Sequence, residues 1–193
     1  MTMAGGKRRV IVVSAPSGGG KRTVLEHVMA SDPDLEVAVS CTTRAPRDGE
    51  VEGEDYYFLD RAAFEAKIAE GAFAEWAEVH GNLYGTLKAE LEQRMATGKD
   101  VVLEVDVQGM RQVKASGLNP ATAFITVPNL EVLRQRIEHR GQNDPADTAL
   151  RLKNAEEEMA AQDEFDQVIV NDNLDEAVAA FHAFLREARA AAA

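Results

Sequence analysis

At 193 residues, 45% of them hydrophobic, the chain is long enough for one globular unit with a substantial core and room for a small inserted subdomain. Its 33 acidic against 21 basic residues give a net charge of −12. That argues against a nucleic-acid duplex as partner, whereas a small anionic ligand stays open because a few arginines converging in a cleft override bulk charge locally. No apolar run approaches the roughly 20 residues of a membrane span. The start MTMAGGKRRV sets basic residues beside an apolar run too short for a signal peptide, and the lone Cys41 forms no internal disulfide, so a cytoplasmic protein without membrane attachment is expected.

In chain order, the run VIVVS (10–14) predicts a buried strand, followed by a helix from about Lys21 to Ala30. The stretch 37–90 carries VAVSCTTR, DYYFL, a short amphipathic helix at AAFEAKIAEG, and AFAEWAEVHGNLYG; aromatic strands punctuated by glycine predict a small mixed or antiparallel subdomain. The rhythm resumes with VVLEV (101–105) and a helix from about Gly109, AFITV (123–127) and a helix from Leu130, and QVIV (167–170) with a helix to the end. Continuous apolar strands each followed by a helix predict an α/β protein with a buried parallel sheet and crossovers on both faces. The insertion EHRGQNDPADTALRL (138–152), with Gly141, Pro145 and a helix start at Asp144, reads as a mobile lid.

Behind the first strand stands SAPSGGGKRTV (14–24). The phosphate-loop signature wants Gly, four residues, Gly-Lys and then Ser or Thr; this chain has Ala15 in the first slot, Gly20-Lys21 in the middle and Arg22 in the last. A preceding strand, three consecutive glycines and a following helix N-terminus nevertheless suit an anion cradle built from backbone N–H groups. The alternative is a glycine-rich turn with a chance lysine. In SCTTRAPRDGEVEGEDYYF (40–58), Arg44, Arg47 and Tyr56 offer forked guanidinium donors and a hydroxyl to a phosphate monoester, or else form a solvated loop. In VVLEVDVQG, Glu104 and Asp106 alternate with valines, which predicts two carboxylates on one side of a strand at the sheet edge where ligands bind. Glu104 is open to ordering a magnesium-bound water or to pairing with an arginine such as Arg44.

Through SAPSGGGK, SCTTRAPRDGEVEGEDYYF, EWAEVHGNLYGT, EVDVQG, HRG with the following RL, and VIVND, in order and spacing from about residue 9 to 187, the chain resembles the guanylate kinase family. The resemblance implies a P-loop nucleoside monophosphate kinase-like parallel sheet with helices on both faces. It implies a core of residues 1–36 and 91–193 with the lid at about 138–152, and an inserted mixed α/β GMP-binding subdomain at 37–90. It implies ATP-dependent phosphorylation of GMP and dGMP, with Mg²⁺ accompanying ATP. The ATP site would comprise Ala15, Pro16, Ser17, Gly18, Gly19, Gly20, Lys21, Arg22 and Thr23, with Asn171 and Asp172 at the adenine; a helix cap explains the last two equally well. Lys21, Arg44, Arg136, Arg140 and Arg151 would be catalytic. Arg44, Arg47, Tyr56 and Tyr84 would hold the GMP phosphate, and Glu75, with Ser40, Thr86 and Asp106, would read guanine: a carboxylate accepts from N1–H and the 2-amino group, and hydroxyls donate to O6. Arg22 is expected to swing outward, along the α-phosphate or onto an acid, with Glu104 joining the metal through water. Two rivals are a catalytically silent guanylate-kinase-like module that binds proteins and a related P-loop kinase acting on a sugar phosphate. A homo-oligomer stays open.

Overall fold

The computed structural model describes residues 9–79, 81–139 and 145–191. Strand β1 (Val10–Ser14) is buried along its whole length because it is flanked and covered on all sides. It lies at the centre of a five-stranded sheet, all parallel, with β2 (Leu35–Val37), β7 (Asp100–Glu104), β8 (Ala121–Thr126) and β9 (Gln167–Val170), in the order β2-β7-β1-β8-β9. Since successive side chains of a strand point to opposite faces, Ile11 and Val13 enter one core and Val10 and Val12 the other. Helices α1 (Lys21–Ser31) and α7 (Leu174–Ala190) close the first with Val24, Val28, Phe181 and Leu185. Helices α3 (Lys88–Ala96) and α4 (Val107–Ala115) close the second with Leu91, Met110 and Val113. Two covered faces are why these strands read as unbroken apolar runs.

A second sheet is built from β3 (Cys41–Thr42), β4 (Tyr57–Phe58), β5 (Phe73–Val79) and β6 (Asn82–Leu87), in the order β4-β3-β6-β5. It is mixed: β3 runs parallel to β4 and antiparallel to β6, which pairs antiparallel with β5. Its own small core gathers Cys41, Phe64, Phe73 and Leu83, with Phe64 from α2 (Arg61–Ala69) stacked on Phe73 at 4.3 Å between ring centroids. Helices α5 (Leu130–His139) and α6 (Pro145–Ala160) pack on each other through Leu133, Ile137 and Ala155. Residues 140–144 of the expected lid, Asp144 among them, lie outside the described residues; α6 starts at Pro145, a residue that suits a first helical position.

One local expectation is overturned. The strand expected over 101–105 ends at Glu104, and Asp106 is not a strand residue: it caps α4, its Oδ1 accepting the Gly109 N–H at 2.7 Å. An aspartate satisfying an orphan helix donor competes successfully with continued strand pairing.

Candidate functional site

The loop between β1 and α1 lies at the central strand's C-terminal end, where neighbouring connections diverge to opposite sides of the sheet. Gly20, the residue capping α1, has φ 84°, and a Cβ there would stand 2.3 Å from Asn171 Nδ2. Both facts require glycine. The contact has a purpose: Asn171 Nδ2 donates to the Gly19 carbonyl at 3.0 Å, tying the end of β9 to the loop. Arg136 from α5 donates to the Asn171 carbonyl at 2.9 Å. Asn171 and Asp172 do not cap α7; Asn173 does, through bonds to the N–H groups of Asp175 and Glu176. Gly18, Gly20, Thr23, Arg136, Asn171 and Asp172 line a cavity of about 360 Å³.

On the other side of the loop, Lys21 and Glu104 form an ion pair at 3.4 Å at the rim of a cleft of about 630 Å³, which also takes in Ser40, Arg44, Arg47 and Tyr56. Arg44 is held by Glu50 in a two-pronged bond, Nη1 to Oε2 at 3.0 Å and Nη2 to Oε1 at 2.8 Å, and its guanidinium sits 5.5 Å from the Tyr56 ring centroid. Glu50 also accepts the Arg47 backbone N–H at 2.7 Å. The bond to Arg44, then that to Arg47, holds the Glu50 carboxyl below its ordinary pKa. Arg22 turns away from the loop: its side chain is 88% exposed and its Nε donates to Glu26 at 2.8 Å, one turn along α1.

Deeper in, a cavity of about 230 Å³ is lined by Ser40, Tyr56, Glu75, Tyr84, Glu104 and Asp106 among others. Glu75 and Thr86 face each other across β5 and β6, and Thr86 Oγ1 bonds Ser40 Oγ at 2.9 Å. Thr86 is fully buried and Glu75 is 7% exposed. Burial drives the Glu75 pKa up to about 7; bonding with Thr86 opposes the rise and the Asp106 charge adds to it. Helix α4 comes this close because Gly109 has no side chain: a Cβ would lie 2.8 Å from Val105 Cβ and 3.3 Å from Glu75 Oε2.

Three cavities around one loop thus gather most of the expected residues. Lys21 and Glu104 meet each other, so the pairing of Glu104 with Arg44 does not occur and Glu50 takes that arginine. Although Asp106 leaves the strand, it still lines the small cavity with Glu104. Arg151 lies exposed on α6. Arg140 lies outside the described residues. Sequence reasoning missed Glu50 and Gly109. The turn closed by the Glu50 N–H on the Arg47 carbonyl at 3.1 Å, signalled by Asp48-Gly49, could have exposed the first. Among the described residues no group of three or more side chains could hold a metal ion by itself, and no helix is long and apolar enough to cross a membrane.

The guanylate kinase family model matches residues 7–188. A guanylate kinase from Gloeobacter violaceus is 48% identical over 179 residues, covering 93% of this chain and 87% of the relative. One from Parasynechococcus marenigrum is 46% identical over 167 residues, 86% of this chain and 92% of its own length. The crystal structure of guanylate kinase from Anaplasma phagocytophilum superposes with a TM-score of 0.72 at 32% identity, covering 95% of this chain and 87% of the other.

Proposed function

The chain belongs to the guanylate kinase family, and we propose from that premise that it transfers the γ-phosphoryl group of ATP to GMP, yielding ADP and GDP. The observation that carries the assignment of groups is the hydrogen-bonded Ser40–Thr86 pair facing buried Glu75 in a cavity adjoining the cleft of Arg44 and Lys21. Ionised Glu75 accepts from guanine N1–H and the 2-amino group, Ser40 and Thr86 address O6, and Asp106 assists. Arg44, Arg47, Tyr56 and Tyr84 hold the GMP phosphate; for this, Arg44 shares or exchanges its Glu50 partner. Loop residues 15–23 cradle the ATP phosphates, with Asn171 and Asp172 beside the adenine.

A GMP phosphate oxygen attacks the γ-phosphorus in line as the bond to the β–γ bridging oxygen breaks, and the electron pair leaves on ADP. Little covalent chemistry falls to the protein. Lys21 leaves Glu104 for the β and γ phosphates, and Arg136, Arg140 and Arg151 spread positive charge over the moving group as closure excludes water. Mg²⁺ would suit this donor set as an ion carried by ATP rather than held by the protein: Glu104, the carboxylate beside Lys21, would accept from a water on the ion, which would supply neutralisation of phosphate charge. The core and lid carry ATP, residues 37–90 carry GMP, and the cytoplasm, where both nucleotides occur, is the expected location.

Initial rates with MgATP and a panel of GMP, dGMP, AMP and UMP test the assignment. GMP is expected to exceed AMP by at least about 10⁴ in kcat/KM, since a buried polar site leaves its groups unpaired against the wrong base edge. Comparable rates with AMP would overturn it. A protein whose melting temperature ignores both ATP and GMP would favour the silent module.

A further inference from the structure

Glu90, in the first turn of α3, is 6% exposed, yet its carboxylate is not spent on its own helix N-terminus. It accepts the Val39 N–H at 2.9 Å and the Tyr57 hydroxyl at 3.2 Å, and pairs with Arg94, which reaches on to Glu36 of β2 at 3.8 Å. Val39 is where the chain leaves the parallel sheet: the Ala38 N–H still bonds the Val102 carbonyl of β7 at 2.9 Å, and the next N–H belongs to Glu90. Tyr57 then closes a ring, because its own N–H donates to the Ser40 carbonyl at 2.9 Å. The residue before Ser40 and the carbonyl of Ser40 are both fixed through one carboxylate, and the Ser40 hydroxyl is thereby aimed at Thr86 Oγ1, 2.9 Å away.

We propose that Glu90 is a positioning residue for guanine recognition: through Val39 and Tyr57 it orients the Ser40 hydroxyl toward the 6-oxo edge of the base. A helix-dipole role alone would leave Val39 and Tyr57 unengaged. A carboxylate accepts from all three at once, whereas a glutamine that keeps Val39 and Arg94 on its oxygen turns its NH₂ to Tyr57, whose hydroxyl must then reverse from donor to acceptor and shift the bond that holds it. The inference rests on the reading of GMP as acceptor and of Ser40 as an O6 contact.

The experiment compares wild type, Glu90→Gln, Tyr57→Phe and Ser40→Ala with three acceptors at saturating MgATP: GMP, IMP, which keeps O6 and N1–H and lacks the 2-amino group, and 2-aminopurine ribonucleoside monophosphate, which keeps the 2-amino group and lacks O6 and with it the N1–H. That loss is common to all four proteins, so only changes in the ratio between them report Ser40. Glu90→Gln is expected to raise KM for GMP about tenfold, leave KM for ATP within about twofold, and shrink the preference for GMP over the 2-aminopurine nucleotide about tenfold. The preference for GMP over IMP, which reports Glu75, stays. Tyr57→Phe does the same more weakly, and Glu90→Gln added to Ser40→Ala changes the 2-aminopurine ratio no further. A lower melting temperature with both base ratios unchanged overturns the proposal and leaves Glu90 a structural acid; should Glu90→Gln not fold, Tyr57→Phe decides on the same ratios. Absent wild-type activity on GMP sinks the parent reading instead, and a wild type indifferent to O6 sinks the Ser40 contact.

Discussion

Glu75 poses the sharpest conflict at the scale of one residue: with a pKa of about 7, half of the free protein carries it protonated at neutral pH, while guanine's two N–H donors need the carboxylate. KM for GMP is therefore expected to rise as pH falls from 8 to 6, and steady-state kinetics across that range check it. In Glu75→Gln that pH dependence disappears, KM for GMP rises at least tenfold and KM for ATP hardly changes. Stability follows the opposite sign. A carboxyl whose folded pKa is raised from 4.5 contributes stability fully present below 4.5 and lost as pH climbs to about 7, on the order of 3 kcal/mol in all. Arg22 makes the complementary case: pointing at Glu26 it is dispensable to the chemistry, so Arg22→Ser should keep kcat within about tenfold while Lys21→Ala loses roughly 10² or more. Magnesium titrations at fixed ATP in the three proteins separate these; an equal collapse would make Arg22 a phosphate ligand.

Among the elements, α4 shows how a packing demand overrides propensity. Alanine at 109 would raise intrinsic helix stability by about 1 kcal/mol, but its Cβ would sit 2.8 Å from Val105 and press on Glu75. Gly109→Ala is accordingly expected to lower the melting temperature and to weaken GMP saturation with ATP unaffected, as thermal scans and initial rates would show. The same helix marks the limit of legibility in the sequence. β1, β8 and β9 and the helices after them were readable because burial on both faces writes unbroken apolar runs. The start of α4 was not, because alternating Glu104, Val105 and Asp106 obeys a strand's period while Asp106 obeys a cap's chemistry. Glu50 and Glu90 stayed hidden for another reason: the Asp48-Gly49 turn signals the place of Glu50 but not the Arg44 side chain it holds six residues back, and the partners of Glu90 lie 33 and 51 residues away, where no local pattern reaches.

Across the whole molecule, the loop at one end of the chain is held by a residue near the other. The Asn171 amide reaches Gly19 over 152 positions of sequence, and β1 itself is paired on both sides by strands that begin at residues 100 and 121. Asn171→Ala should leave the GMP-induced rise in melting temperature intact and reduce the ATP-induced one, read by thermal shift with each nucleotide alone. An equal loss of both would show that Asn171 supports the fold and not the loop. During synthesis, a ribosome finishes the glycine-rich loop within the first two dozen residues but must add some 150 more before the amide that shapes it emerges. A nascent chain thus offers no finished seat for ATP until the sheet's last strand has left the exit tunnel.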